Sequence, residues 1–475
     1  MRQNFGQRLV RCAGATAMIA GLLGSTVQAD SLADALVGAY NTSGLLEQNR
    51  ALLRAADEDV ATAAAALKPI IDYSAGLSRN FGDSQGFSSL TGLATTSNLE
   101  ETVLSTSIIG ELLLYDGGVS VLAREAAKET VLATRQELIS VEQDVLFRAV
   151  SAFLNVVALR EFVELRENNL RLLQQELQAA EDRFEVGEVT RTDVAQAESS
   201  LADSRSGLAT AQGDLQQAVE EYRNVVGRTP GELDPLPNPP SISRSVDDAR
   251  AFAVRTHPDL KSAQFQVAAA ELNIQRAEAE LNPRVIAGAS LGLSDGFQGN
   301  DFTRSGSLSL SLTGPIYQGG ALSSGIRSAM ASRDAQRGNL LEVRKTIVQD
   351  VGDAYANLSA QRASLEASEE QIRASRIAFE GVREEAALGA RTTLDVLDAE
   401  QDLLDAETAR ISAEANLYIA SYAVLQSEGR LTAQQLGLPV QIYDPTEYYN
   451  LVKDAPVPTS RQGQQLDKVL RALQK

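Results

Sequence analysis

Shifted by 202 residues, the second half of this sequence falls on the first, without a gap over more than 110 positions. "YDGG" at 115–118 returns as "YQGG" at 317–320, and Ala152, Phe153 and Asn155 fall on Ala354, Tyr355 and Asn357. Gly187, Asp193, Val194, Ala197, Glu198, Leu201, Asp203 and Gly227 then fall on Gly389, Asp395, Val396, Ala399, Glu400, Leu403, Asp405 and Gly429. Upstream of "YDGG" the shift becomes 214, which places Ser31, Asp34, Ala35, Ala39, Leu46 and Pro69 on Ser245, Asp248, Ala249, Ala253, Leu260 and Pro283. The first copy therefore carries 12 extra residues between Pro69 and Tyr115. Repeats of about 200 residues are too long for a solenoid unit, so the pattern predicts a fold made of two equivalent halves.

Proline marks the joints. Five of the 13 prolines crowd into "PGELDPLPNPP" at 230–240, and none occurs at 70–229 or 316–438. This divides the chain into a first repeat at 30–229, a linker at 230–244, a second repeat at 245–429 and a tail at 430–475. Residues 119–186 also lack glycine and are rich in Ala, Leu, Glu, Gln and Arg. They predict one helix on the order of 100 Å long. Its counterpart at 321–388 contains Gly325, Gly338, Gly352 and Gly381, where local bends are expected.

Both long helices end in turn chemistry. Gly187 and Gly389 supply the C-terminal stop, and Thr190-x-x-Asp193 and Thr392-x-x-Asp395 resemble capping boxes that start helices at about 190–226 and 392–428. Helices at about 31–66 and 245–281 complete each half, so that shorter helices stack end to end beside a long one. Period-two segments lie between them. In "SGSLSLSLTGPIY", Leu308, Leu310 and Leu312 alternate with Ser307, Ser309 and Ser311. Hairpins at 69–115 and 283–317 give four strands, and four strands alone leave two open edges that lipid does not tolerate.

The chain begins with Arg2, Arg8 and Arg11, an apolar run at 17–24 and Val27-Gln28-Ala29, the layout of a cleavable export signal spanning 1–29. Cys12, the only cysteine, lies inside it, so the mature chain is expected to hold no disulfide and no lipid anchor. His257, the only histidine, sits in "RTHPDL", where a helix boundary before Pro258 explains it. With 63 acidic against 43 basic residues, nucleic acid is a poor partner. One histidine and scattered carboxylates offer no catalytic constellation, metal site or cofactor site. No later stretch reaches the roughly 18 consecutive apolar residues of a membrane helix, so an exported chain of this kind is expected free in the periplasm, secreted, or built into an outer membrane as a β-barrel.

The duplicated helix-and-hairpin order, Pro315, the Tyr317–Gly320 strand exit and above all the turn phrases "VGEVTRTDVAQAE" and "LGARTTLDVLDAE" resemble the TolC family of outer-membrane channel proteins. The resemblance implies a mainly α fold with a small β part. It implies a homotrimer in which long antiparallel helical hairpins form an α-barrel through the periplasm and four strands per chain build a twelve-stranded barrel in outer-membrane lipid. It further implies that the helix tips meet a periplasmic adaptor and, through it, an inner-membrane transporter, either a proton-driven RND-type pump or an ATP-driven ABC-type secretion system. Asp395 and Asp398 match the family's two lumen-facing entrance aspartates. Arg391 matches the basic residue that locks the closed state, and Thr192 with Asp193 matches its partners. Where the family's best-studied members place a tyrosine in the same lock, this chain has Ala386.

Asp395, Asp398, Asp402 and Asp405 recur three or four positions apart and would share one helix face, although each like-charged neighbour pair costs roughly 0.2–0.5 kcal/mol. The favourable positive end of a helix accounts for Asp395 but fades within a turn. In the first repeat, Asp193 and Asp203 are kept while Gln196 and Ser200 replace the other two acids. A water-facing ring at a pore entrance, with Asp402 and Asp405 above it, is the expected role, and such a ring attracts cations. The exposed turns Gly187, Glu188, Val189 and Thr190, and Gly389, Ala390 and Thr392, are the expected adaptor contacts. The competing reading is a structural periplasmic coiled-coil protein that forms no channel. That reading leaves the Leu/Ser alternation unexplained. The tail from 430 is expected to wrap the helices and then fray, with a short helix at about 464–474.

Overall fold

A computed structural model describes residues 30–473 apart from 88, 91 and 298–301. The export signal at 1–29, with Cys12, lies outside the described residues.

The first repeat runs α1 (Leu32–Thr42), α2 (Gly44–Ala65), β1 (Ile70–Phe87), β2 (Ala94–Tyr115), α3 (Val119–Glu185) and α4 (Arg191–Val226). The second runs α5 (Val246–Thr256), α6 (Pro258–Ala279), β3 (Arg284–Gly296), β4 (Phe302–Thr313), α7 (Ala321–Ala387) and α8 (Thr393–Ser427), and the tail adds α9 (Pro445–Val452) and α10 (Arg461–Leu473). At 1.5 Å per residue, the 67 residues of α3 and of α7 each extend about 100 Å. Both start after a left-handed glycine, Gly118 or Gly320, that turns the chain out of the sheet. α7 runs unbroken through Gly325, Gly338, Gly352 and Gly381. Lateral packing along such a helix outweighs a glycine penalty of about 1 kcal/mol.

The helical segments expected at 31–66 and 245–281 are each split in two, the second at the boundary expected before Pro258. Ser43 ends α1 and caps α2, its hydroxyl accepting from the Leu46 amide at 3.2 Å. His257 does the same between α5 and α6, with Nδ1 accepting from the Asp259 amide at 3.3 Å and Pro258 opening α6. Ser43 and His257 are equivalent under the 214-residue shift, so the duplication extends to the break itself.

Strands and helices follow one another in the same lateral order. The sheet is antiparallel throughout in the order β1-β2-β3-β4, while α2 packs on α3, α3 on α6 and α6 on α7. α4 and α8 prolong the α2 and α6 positions along the far halves of α3 and α7. The main core lies where α1, α2, α3 and the end of α4 meet residues 431–443. At that junction Gly38 of α1 passes so close to α4 that a Cβ would stand 2.6 Å from Val226 Cγ1 and 2.9 Å from the Val226 carbonyl oxygen. Gly38→Ala is therefore expected to destabilise the fold by about 1–3 kcal/mol in spite of alanine's better helix propensity, read as a lower midpoint in thermal denaturation.

The tail does not fray over the described residues. Leu431 and Ala433 are buried, and α9, which the sequence did not announce, sets Tyr448 and Val452 against Ala61 of α2. The Tyr448 hydroxyl donates to Glu58 at 2.7 Å. α10 begins three residues earlier than expected and packs Leu466 and Leu470 on the same cluster. Lys68, just before β1, donates to the carbonyls of Asp454 and Ala455, which ties the tail to the base of the sheet.

Candidate functional site

Register fixes the two faces of the sheet. Tyr73 pairs with Ile108, Ile108 with Leu291, and Leu291 with Gly306, so these positions share a face with Ile71, Leu77, Leu104, Ala289, Leu308, Leu310 and Leu312. The other face carries Asp72, Ser74, Ser107, Glu111, Gly288, Ser290, Ser307 and Ser309. Its hydroxyls bond across strands, Ser74 to Ser107 and Ser290 to Ser307, each at 2.8 Å. Among the described residues nothing covers the apolar face, where Leu308 is 90% and Tyr73 83% exposed. β1 and β4 are both open edges. An apolar face with free edges is unstable in water and equally unstable in lipid unless the edges close.

The helical layer is open in the same sense. α3 buries 17 of its residues between neighbours on both sides, whereas α7, of equal length, buries six and leaves Leu341 and Ile377 exposed. No described helix is long and apolar enough to cross a membrane.

At the far end, the helix turns are built alike. Gly187 (φ +80°) and Gly389 (φ +77°) take the left-handed conformation, and the Glu188 and Ala390 amides donate back to the Arg183 and Glu385 carbonyls at 2.9 Å. Thr190 then caps α4. Its amide and hydroxyl donate to Asp193 Oδ2 at 2.8 and 2.7 Å, and the Asp193 amide donates to the Thr190 hydroxyl at 3.4 Å. Thr392 and Asp395 repeat the box at 2.9, 2.8 and 3.2 Å. The Thr190 hydroxyl and amide hold the Asp193 carboxyl below its usual range, and the Thr392 amide and hydroxyl do the same for Asp395. Both remain anions at neutral pH.

The expected entrance residues divide accordingly. Asp395 is partly engaged in starting its own helix, while Asp398, Asp402 and Asp405 form the exposed stripe of α8, opposite the buried Leu397, Glu400 and Leu404. Arg391 is exposed and pairs with Glu385 at 2.8 Å within its own turn. Within this chain it does not bond to Thr192 or Asp193, and Thr190 engages Oδ2 of the Asp193 carboxylate. Ala386 is buried beside Phe379 and Val396, so its side chain points between α7 and α8. Gly187, Glu188, Gly389, Ala390 and Thr392 are exposed at the extreme end of the molecule.

One cluster at this end was missed by sequence reasoning. Asn169 of α3 donates to Glu400 Oε1 of α8 at 2.7 Å and accepts from Ser204 of α4 at 2.8 Å, and all three are buried. The in-register pair Glu198 and Glu400 was visible in the repeat, but nothing local to either phrase tells which one is covered.

The sequence profile described as outer membrane efflux protein matches residues 39–228 and 253–430. The outer membrane efflux protein BepC of Brucella suis is 36% identical over 435 residues, covering 91% of this chain and 92% of that protein. The outer membrane protein TolC of Vibrio cholerae is 24% identical over 88% of this chain and 94% of its own length. Among solved structures, the CmeC outer membrane channel of Campylobacter jejuni superposes with a TM-score of 0.73 over 89% of both chains at 15% identity.

Proposed function

Because this chain belongs to the outer membrane efflux protein family, we propose that three copies close edge to edge into a single duct, β4 and α7 of one protomer meeting the β1 and α4 side of the next. The protein is an outer-membrane efflux channel that extends into the periplasm, not an enzyme. The observation that carries the trimeric duct is the sheet, uncovered on its apolar face and open at both edges in register with an open helical layer. Three sheets give twelve strands, an even number within the range of outer-membrane barrels. The 12 and 13 residues of β4 and β3 exceed the roughly 9–11 that a tilted strand needs to cross the bilayer.

Closure leaves the Ser/Gly face lining water and the Leu/Tyr face against outer-membrane lipid. The turn ends then converge. Asp395 and Asp398 from three chains form an acidic ring, with Asp402 and Asp405 lining the duct beyond it. The exposed turns 187–190 and 389–392 take a periplasmic adaptor, which couples the duct to an inner-membrane transporter of RND or ABC type. The test is the outer-membrane fraction. A heat-modifiable trimer that conducts ions in planar bilayers is the expected result, and a soluble extended dimer would favour the structural coiled-coil alternative.

The lock belongs to the same assembly. Arg391 holds Glu385 through Nε alone, so its remaining guanidinium N–H groups can reach Thr192 or Asp193 across a neighbouring hairpin, and with Ala386 turned inward no tyrosine assists it. Exposed pairs contribute about 0–1 kcal/mol each. Arg391→Ser is therefore expected to raise resting single-channel conductance modestly, and a variant with wild-type closed conductance would count against this lock.

A further inference from the structure

Glu400 is 4% exposed, and its two oxygens are treated differently. Oε1 accepts from Asn169, while Oε2 is buried with no partner. The contrast with Glu428, at the other end of the same helix, is direct. Glu428 is wholly buried, but Oε1 takes the Tyr355 hydroxyl at 3.0 Å and the Ser243 amide at 3.3 Å, and Oε2 takes Arg430 at 3.0 Å. A carboxylate meant only to brace a junction looks like Glu428. Glu400 is instead left half-satisfied, at the place where α8 meets both α3 and α4. The other contacts there, Leu173, Leu201 and Leu397, are apolar. It lies in the second turn of α8, between Asp398 and Asp402 in sequence but on the opposite face.

We propose that Glu400 is a proton-dependent pin for the pore entrance: protonated, it lets α8 dock on α3 and α4 and keeps the throat narrow, and ionised, it loosens that docking. The proposal rests on the channel reading above and adds a regulator to it. The charged groups facing Glu400 are Glu176 from α3, which disfavours its ionisation, and Arg383 from α7, which favours it but is shared with Glu176 at 3.5 Å. From α4, uncharged Ser204 reaches it through Asn169. Burial first, and then Glu176, push the Glu400 carboxyl up to about 7, against the opposing bond from Asn169 and the charge of Arg383. A carboxyl raised in the folded state binds protons that the undocked state has released. Its contribution to docking is complete in acid, below the ordinary glutamate range, and is lost as pH rises through about 7.

Purified trimers in planar bilayers, compared at about pH 5.5 and about pH 8.5, test this. Wild-type resting conductance is expected to rise several-fold towards alkaline pH. Glu400→Gln should stay low at both, and Asn169→Ala, which removes the bond that favours ionisation, should move the midpoint to higher pH. Asp57, also buried and pushed up to about 6, is remote from the throat, so Asp57→Asn should keep the wild-type profile. A flat wild-type profile, or Glu400→Gln retaining the whole response, overturns the pin. If no trimer conducts at either pH, it is the channel reading that fails. The pin is then judged by spin labels at Val189→Cys and Ala390→Cys, whose separations should broaden in alkali only where Glu400 is present, and an unchanged distribution overturns it.

Discussion

In the proposed trimer, Asp398→Ala is expected to abolish most of a preference for cations in planar bilayers and to weaken block by trivalent ions. Asp398 is exposed, and no hydrogen bond to its carboxylate ties it into the local fold. Its cost to a lone helix, roughly 0.2–0.5 kcal/mol against each acidic neighbour, has a use only where water and cations face it. Asp395 is the less clean probe, since the same carboxylate accepts from Thr392 and closes the capping box. Asp395→Ala removes the charge together with the reciprocal half of the capping box, leaving only the Thr392 hydroxyl to cap the helix. The double variant should therefore show the larger selectivity loss along with a raised open probability from frayed α8 helices. Selectivity unchanged in Asp398→Ala would remove the aspartates from the throat.

The second large effect concerns two adjacent residues with opposite outcomes. Leu308→Arg places a charge on the uncovered apolar face near the middle of β4, where lipid exacts about 2–4 kcal/mol per chain at the bilayer midplane. In the proposed trimer three chains multiply this, and the heat-modifiable species should disappear from the outer-membrane fraction. Ser307→Arg adds the same side chain one position away, on the face where Ser290 and Ser307 exchange a hydrogen bond and water is expected. It should assemble. A structural coiled-coil protein with a solvated sheet would not distinguish the two, so equal yields would argue against a membrane barrel.

Features written in local chemistry were legible. Gly187 with Thr190 and Asp193, and Gly389 with Thr392 and Asp395, name a stop and a start within a few residues, and both turns form with those bonds. The Leu/Ser alternation of β4 likewise encodes its two faces without reference to any partner. The break at Ser43 was signalled by "TSG" and by its equivalence to the His257-Pro258 boundary, yet the helical composition on either side concealed it. The four glycines of α7 misled in the other direction, because intrinsic propensity is a small quantity beside the packing of a 67-residue helix along α6 and α8.

α9 and the ordered tail depend on distant residues. Tyr448 is a helix position because Ala61 and Glu58 stand ready to receive it, nearly 400 residues earlier in the chain. Arg391 similarly shows a basic residue in a turn, but its pairing with Glu385 appears only in the folded chain.

The sequence by itself determined the duplication and the order of helices and hairpins, which show when the chain is laid on itself, and the capped turns and the two faces of the sheet, which rest on spacing within a few residues. Only the tertiary structure decided what each equivalent position does. Glu198 and Glu400 close the same repeated phrase, but Glu198 stays in solvent while α3 and α4 cover Glu400. Burial is a property of the neighbours a helix acquires, and those neighbours come from the other half of the chain. An ordinary surface glutamate in one repeat thus becomes, in the other, a carboxyl whose charge the fold resists.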